Sequence, residues 1–237
     1  AQCRQVEQTL ASDFKLIAAS GDVVKDDGKG LHQWEVLFRP ENNAVEVRDN
    51  ARMIQYTSKQ AFRIVPGGRQ PSVLLKSARL REQESIGIDA GDREMRGAVE
   101  IRPTPYGFKL VSEVNLEEYL YGAVSAVLPQ GSPSEAYKAQ AVVSRTRALW
   151  FKAHRDDNIE GADICDSNAC QKYMGLSEEM NLAALAARAT QGIVLTQGGA
   201  PAKVLQHENC GGTTEDARFG SEPGQEHLVS VQDTQSP

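Results

Sequence analysis

Between Gln33 and Val111 apolar and polar residues alternate in short runs. They are Trp34–Phe38, Ala44–Val47, Met53–Tyr56, Phe62–Val65, Ser72–Ser77, Gly97–Ile101 and Tyr106–Val111. These runs are rich in β-branched and aromatic residues, and polar or Gly/Pro breaks such as Pro66-Gly67-Gly68 separate them. A period of two over a few residues places one face in a core and predicts strands. Phe14–Ala19 reads as a further strand and Gln5–Ser12 as a short helix. Asp26–Gly30 is a turn cluster, and Arg81–Asp92 reads as an exposed polar loop or short helix. The stretch from residue 14 to 115 is therefore expected to be mostly β.

After Asn115 the period lengthens. Leu116–Tyr121 has leucine and tyrosine at helical spacing, with Asn115 as N-cap and two glutamates in the first turn, where the helix dipole favours them. Gly122 is expected to end this helix. Ala123–Leu128 is an apolar run, and Pro129–Pro133 forms a loop. Ser132-Pro133-Ser134-Glu135 has the form of a capping box, with serine as cap and proline at the first helical position. The helix it opens runs to about His154 and offers Ala139, Val142, Val143, Thr146 and Leu149 to a buried stripe. Gly161–Met174 is a loop. A third helix runs from Ser177 to about Thr190, with Gly192 fitted to stop it. Ile193–Thr196 and Ala202–Gln206 flank Gly198-Gly199 as a hairpin. The tail from Ala217 is polar and has no evident closing element. The fold class is α+β: a β-rich region, 1–115, packed with a helical and β segment, 116–237.

With 237 residues, 40% of them hydrophobic, the chain can bury a sizeable core. Its net charge of −6 argues against a nucleic-acid partner, which normally meets a basic face. No apolar run approaches the roughly 18 residues that span a bilayer, and Ala1–Arg4 does not resemble the start of a signal peptide. Of the four cysteines, Cys165 and Cys170 are close enough to bridge or to share a metal. Two ligands fall short of the usual four of a structural zinc site.

Four ordered blocks carry a resemblance. Leu116-Glu117-Glu118-Tyr119-Leu120 and Gly122 lead into Ala123–Pro129. Glu135–Thr146 reads Glu-Ala-Tyr-Lys-Ala-Gln-Ala-Val-Val-Ser-Arg-Thr. Asp163-Ile164-Cys165-Asp166 is followed by Cys170–Gly175. Finally, His207 precedes Cys210-Gly211-Gly212-Thr213-Thr214-Glu215. Over roughly 97–233 the chain resembles the stage II sporulation protein D / amidase-enhancer family, whose domain acts as a peptidoglycan lytic transglycosylase. The resemblance implies a single intertwined domain with a glycan cleft, located outside the cytoplasm in the cell envelope or secreted. Its implied partners are peptidoglycan glycan strands and a cell-wall amidase.

Two departures bear on chemistry. The family reads Val-Val-Pro-Ser-Glu-Met-Pro where this chain has Ala123–Pro129, which puts Val127 at the glutamate implied to be the catalytic acid/base. Lytic cleavage needs a proton for the leaving glycosidic oxygen, then a base for the muramic 6-hydroxyl that closes the anhydro ring. Valine supplies neither, so no catalytic residue is assigned and a glycan-binding or amidase-enhancing role is expected. An active enzyme using Glu118 or Glu215 is one alternative. A structural partner-binding domain is another. Zinc is bound in some relatives, but Ala169 stands where histidine is common. No cofactor or metal is assigned, and Cys165 and Cys170 are expected as a disulfide or two free thiols. The resemblance implies a substrate-binding set of Arg145, Gln140, Gln171, Tyr173, His207, Asn209, Gly211, Gly212, Thr213, Thr214 and Glu215. Read from the residues alone, Glu117 and Glu118 are helix N-terminal charges on a solvated face.

Overall fold

The computed structural model describes residues 6–10, 14–18, 20, 23–26, 32–49, 51, 53–67, 72–76, 79–80, 88–89, 92–154, 161–207, 210–216 and 227–233. It is a mixed α+β architecture, as the patterning predicts. The strands are β1 Val6–Leu10, β2 Phe14–Ile17, β3 Val23–Asp26, β4 His32–Arg39, β5 Ala44–Arg48, β6 Ile54–Ser58, β7 Phe62–Pro66, β8 Ser72–Lys76, β9 Arg79–Leu80, β10 Ile88–Asp89, β11 Arg93–Arg96, β12 Ala98–Thr104 and β13 Gly107–Glu113. Helices α1 Leu116–Ser125, α2 Ser134–Ala153 and α3 Asn181–Ala189 follow, with a 3-10 turn at Leu176–Glu178 before α3. The chain then forms β14 Thr196–Gln197 and β15 Ala200–Pro201.

All strand pairs among the described residues are antiparallel. One sheet has the order β11-β8-β1-β4-β5-β6, a second β13-β12-β7-β2-β3, and β9 with β10 and β14 with β15 form two-stranded sheets. The apolar positions expected to face inward are buried along these strands, and β4 and β5 also bury the intervening Leu37 and Glu46. Trp34, Val36 and Phe38 on β4, Val45 and Val47 on β5, Phe62 and Ile64 on β7, and Val99 and Ile101 on β12 are all buried in one apolar cluster. The same cluster includes Leu120, Ala123 and Val124 of α1, Tyr137 and Ala141 of α2, and Ala183, Ala186 and Ala187 of α3. The helices are thus anchored to the β-region through a shared core. Alanines on the facing sides of α2 and α3 let the two helices approach closely.

Several local expectations change. Within the 5–12 segment the described residues, Val6–Leu10, form a strand and not a helix: β1 lies between β4 and β8, with Gln8 opposite both Trp34 and Leu75. Two neighbouring ladders satisfy its backbone, which local helical spacing cannot match. Gly122 does not end α1, which continues to Ser125. The residue is a glycine for space, because a Cβ there would meet Tyr173 Cε2 at 2.7 Å and the Gly175 carbonyl at 3.1 Å. The capping box before α2 is not made. Pro133 takes the N-cap place without a side-chain bond, and Ser132 Oγ instead donates to the Pro129 carbonyl at 2.8 Å. Glu135 pairs with Lys138 at 2.6 Å, and Ala139 is exposed. The third helix begins four residues late because Glu179, in extended backbone, reaches across to β11. The hairpin at Gly198-Gly199 forms, both glycines having positive φ as a two-residue turn requires, but its paired strands shrink to two residues each. Arg81–Asp92 falls largely outside the described residues. The polar tail does find a partner: Thr213 bridges Gln232, with Thr214 N donating to the Val231 carbonyl at 2.9 Å.

Candidate functional site

Helix α1 begins as its sequence directs. Asn115 Oδ1 accepts from the Glu117 backbone N–H at 2.9 Å, and Glu117 and Glu118 occupy the first turn. Glu117 does not face solvent alone. It forms a two-pronged ion pair with Arg145 of α2, in which Nε meets Oε1 at 2.8 Å and Nη2 meets Oε2 at 2.7 Å. Arg145 is 1% exposed. Its remaining fork donates to the carbonyls of Ala187 and Ile193, both at 3.0 Å. One guanidinium therefore joins α1, α2, the end of α3 and the segment leading to the hairpin. The Arg145 hydrogen bond holds the Glu117 carboxyl below its usual range, against a smaller opposing effect of burial.

The loop after α1 is pinned from beneath. Tyr137 is fully buried, and its hydroxyl donates to the Pro129 carbonyl at 3.0 Å. Ser125 Oγ donates to the Tyr121 carbonyl at 2.7 Å and accepts from Met180 N–H at 2.9 Å. Val127 stands on this loop, 36% exposed. It belongs to the surface and not to a filled core.

On one flank of α2 lies the Cys165–Cys170 segment. The two sulfurs are bonded, with Cα atoms 5.4 Å apart. After the disulfide, burial alternates along Gln171, Lys172, Tyr173, Met174 and Gly175, turning Gln171 and Tyr173 to the same inner side. Tyr173 lies against Tyr119 of α1, with ring centroids 5.0 Å apart. The hydroxyls of Tyr119 and Tyr173 and both amide atoms of Gln171 are buried without a hydrogen-bond partner in the structure. Burial pushes the Tyr173 hydroxyl up to about 12 and raises that of Tyr119 as well.

Strand β11 holds this segment from outside. Arg93 Nη1 pairs with Asp166 at 2.8 Å, and its Nη2 donates to the Tyr173 carbonyl at 2.8 Å. Arg96 grips Glu179 through two bonds of 2.7 and 2.6 Å and lies over the Tyr121 ring. Neither arginine stands out in the sequence. They sit on an ordinary strand, and only the sheet order brings them to a loop some 80 residues away.

The other flank of α2 meets the segment after the hairpin. Gln140 Nε2 donates to Ser144 Oγ at 3.0 Å and to Gln206 Oε1 at 3.1 Å. Its neighbour His207 is exposed. Arg147 ties the two flanks together, Nε donating to the Cys170 carbonyl at 2.6 Å and Nη1 to the Val204 carbonyl at 3.0 Å. Burial lowers the Arg147 pKa.

The expected site residues thus occupy different places. Gln140, Gln206 and His207 lie along one side of α2, and Gln171 and Tyr173 lie on the other, turned inward. Arg145 is buried and fully engaged, so it shapes the site through Glu117 and the helix ends. Gly211 and Gly212 form a turn beside Thr213 and Thr214, where Thr214 Oγ1 accepts from Val231 N–H at 2.8 Å; Thr213 and Glu215 are exposed. Asn209 lies outside the described residues. Among the described residues no group of three or more His, Cys, Asp or Glu side chains is placed to hold a metal. The two cysteines that would be zinc ligands are spent on the disulfide, so they do not fit that ion. Among the described residues no helix is long and apolar enough to cross a membrane.

No curated protein and no solved structure gives a significant match to the chain. Residues 105–197 match the family described as Stage II sporulation protein, SpoIID, and the chain carries a SpoIID family domain over that stretch.

Proposed function

We propose that this SpoIID family domain recognises peptidoglycan glycan strands and cleaves them weakly or not at all. The observation that carries the reading is Val127. It lies on the loop after α1, at the position that corresponds to the family's catalytic glutamate. It is exposed at the surface, where a carboxyl group would meet a bound glycan. Around it the scaffold is intact: a capped α1, a loop pinned by Tyr137 and α2 locked by Arg145. A site that keeps its shape and lacks its proton carrier suits binding better than turnover, since proton transfer contributes about 10²–10⁴-fold.

Glu117 and Glu118 are poorly placed to replace it. Glu117 is committed to Arg145. Glu118 lies nine residues before Val127, which is about 13 Å along a helix axis, too far to serve the same atom. The disulfide supports an extracytoplasmic location, because such bonds persist where thiols are not kept reduced. In this reading the 1–115 region is the platform that holds the cleft through β11, and a cell-wall amidase is the expected protein partner.

Incubation with glycan strands stripped of stem peptides, followed by mass spectrometry, tests the reading. Retention of the protein on the strands without release of anhydro-muramyl products is expected. Release of such products by the unaltered chain at a rate typical of an enzyme would overturn it. The Val127→Glu variant is expected to gain anhydro-muramyl release, because only the proton carrier is missing.

A further inference from the structure

Arginines around the site fall into two kinds. Arg145, Arg96 and Arg93 each meet a carboxylate, on Glu117, Glu179 and Asp166 respectively. Arg147 does not. Its partners among the described residues are two backbone carbonyls, those of Cys170 and Val204, and the ring of Phe151 at 5.5 Å. Among the described residues no Asp or Glu lies within ion-pair distance of it, and its Nη2 has no hydrogen-bond partner. It is half-buried. Removing a guanidinium from water without a counter-charge is costly, and carbonyl oxygens repay only part of that cost. A structural tie between two carbonyls could be made by a neutral donor. What a cation adds is a net positive charge, fixed by the fork that is already bonded and not neutralised by any described carboxylate.

Its location gives that charge a use. Arg147 joins the disulfide segment, which carries Gln171 and Tyr173, to the segment carrying Gln206 and His207. It therefore lies between the two segments that carry residues expected to bind glycan. Peptidoglycan strands differ from neutral β-1,4-linked N-acetylglucosamine polymers in one feature an arginine can read: the lactyl carboxylate on every second sugar. We infer that Arg147 is the residue that makes this domain prefer carboxylate-bearing glycan over neutral glycan, and that it also positions the two flanking segments. The inference rests on the glycan-binding reading above and adds the selectivity to it.

The experiment compares binding of the protein to stem-peptide-free glycan strands and to chitooligosaccharides of matched length, by calorimetry or co-sedimentation. Wild type, Arg147→Lys and Arg147→Met are measured, each first checked by circular dichroism and thermal melting. Wild type is expected to favour the carboxylate-bearing strands about tenfold, the scale of one charge-assisted hydrogen bond, with the preference shrinking as salt is raised. Arg147→Met is expected to bind both ligands equally. Arg147→Lys keeps the charge but not the fork, so it is expected to keep part of the preference while binding both ligands more weakly. A folded Arg147→Met protein with undiminished preference overturns the inference alone, as does wild type binding both ligands equally. Wild type that binds neither ligand overturns the glycan-binding reading, and the inference with it. If Arg147→Met does not fold, the lysine variant decides: a preference unchanged in size and salt dependence, with both affinities unchanged, overturns the inference.

Discussion

The ion pair between Glu117 and Arg145 allows the sharpest test of how the helical segment is held. Glu117→Gln leaves Arg145, 1% exposed, with its charge uncompensated inside the protein. Breaking a buried pair in this way costs about 3–5 kcal/mol. Arg145→Met removes the charge but strips a donor from the Ala187 and Ile193 carbonyls, at about 1–3 kcal/mol each where they stay dry. The Glu117 side chain, 22% exposed, recovers water in that variant and adds little. The double variant has no stranded charge, so its loss should fall short of the sum of the singles by about 2 kcal/mol or more. Urea unfolding followed by circular dichroism at pH 7 measures all four corners of the cycle. The pH dependence supplies a second check. Arg145 depresses the folded-state pKa of Glu117 below its ordinary 4.5, so the stabilisation is complete above 4.5 and is lost as pH falls through the folded value. The deficit of Glu117→Gln should therefore be full at pH 7 and shrink in acid, as the wild-type carboxyl also becomes neutral. A coupling below about 0.5 kcal/mol, or a deficit that does not change with pH, would refute the argument that this pair locks the helices together.

Two further substitutions probe the disulfide side of the site. Gly122→Ala places a Cβ 2.7 Å from Tyr173 Cε2 and should cost about 1–3 kcal/mol by overpacking. A urea midpoint equal to wild type would show that Tyr173 moves aside freely. Replacing Cys165 and Cys170 together by serine opens a six-residue loop, and loop entropy sets the loss at about 2 kcal/mol. Melting curves with and without a reductant check this, since reduction should lower the wild type by a similar amount and leave the serine variant unchanged.

Much of this protein is legible in its sequence. Period-two alternation locates most of the central strands, because each buries one face and the pleat fixes which residues share it. Asn115 before two glutamates locates the start of α1, because a helix end must find partners for its free N–H groups. The ordered blocks from Leu116 to Gly175 point to the family, and the matched domain at 105–197 agrees. Where local signals compete with distant partners, the sequence misleads. Gln5–Ser12 has helical spacing, yet two neighbouring strands claim the backbone of Val6–Leu10 within it. Ser132 and Glu135 have the form of a capping box, yet each makes a nearer bond.

The site divides in the same way. Sequence determines that position 127 carries a valine and no carboxyl group, because that is a matter of residue identity; that it stands where the family has an acid is what the resemblance implies. Only the tertiary structure decides what the charged residues do. Arg145 and Arg147 are two positions apart on one helix, and nothing in their spacing distinguishes them. Helix rotation sends Arg145 inward to Glu117 and the end of α3, where its charge is neutralised. The same rotation places Arg147 against two backbone carbonyls, with no carboxylate among the described residues in ion-pair reach. A charge's role depends on what surrounds it in space, and these surroundings come from elements that lie tens of residues apart in the chain.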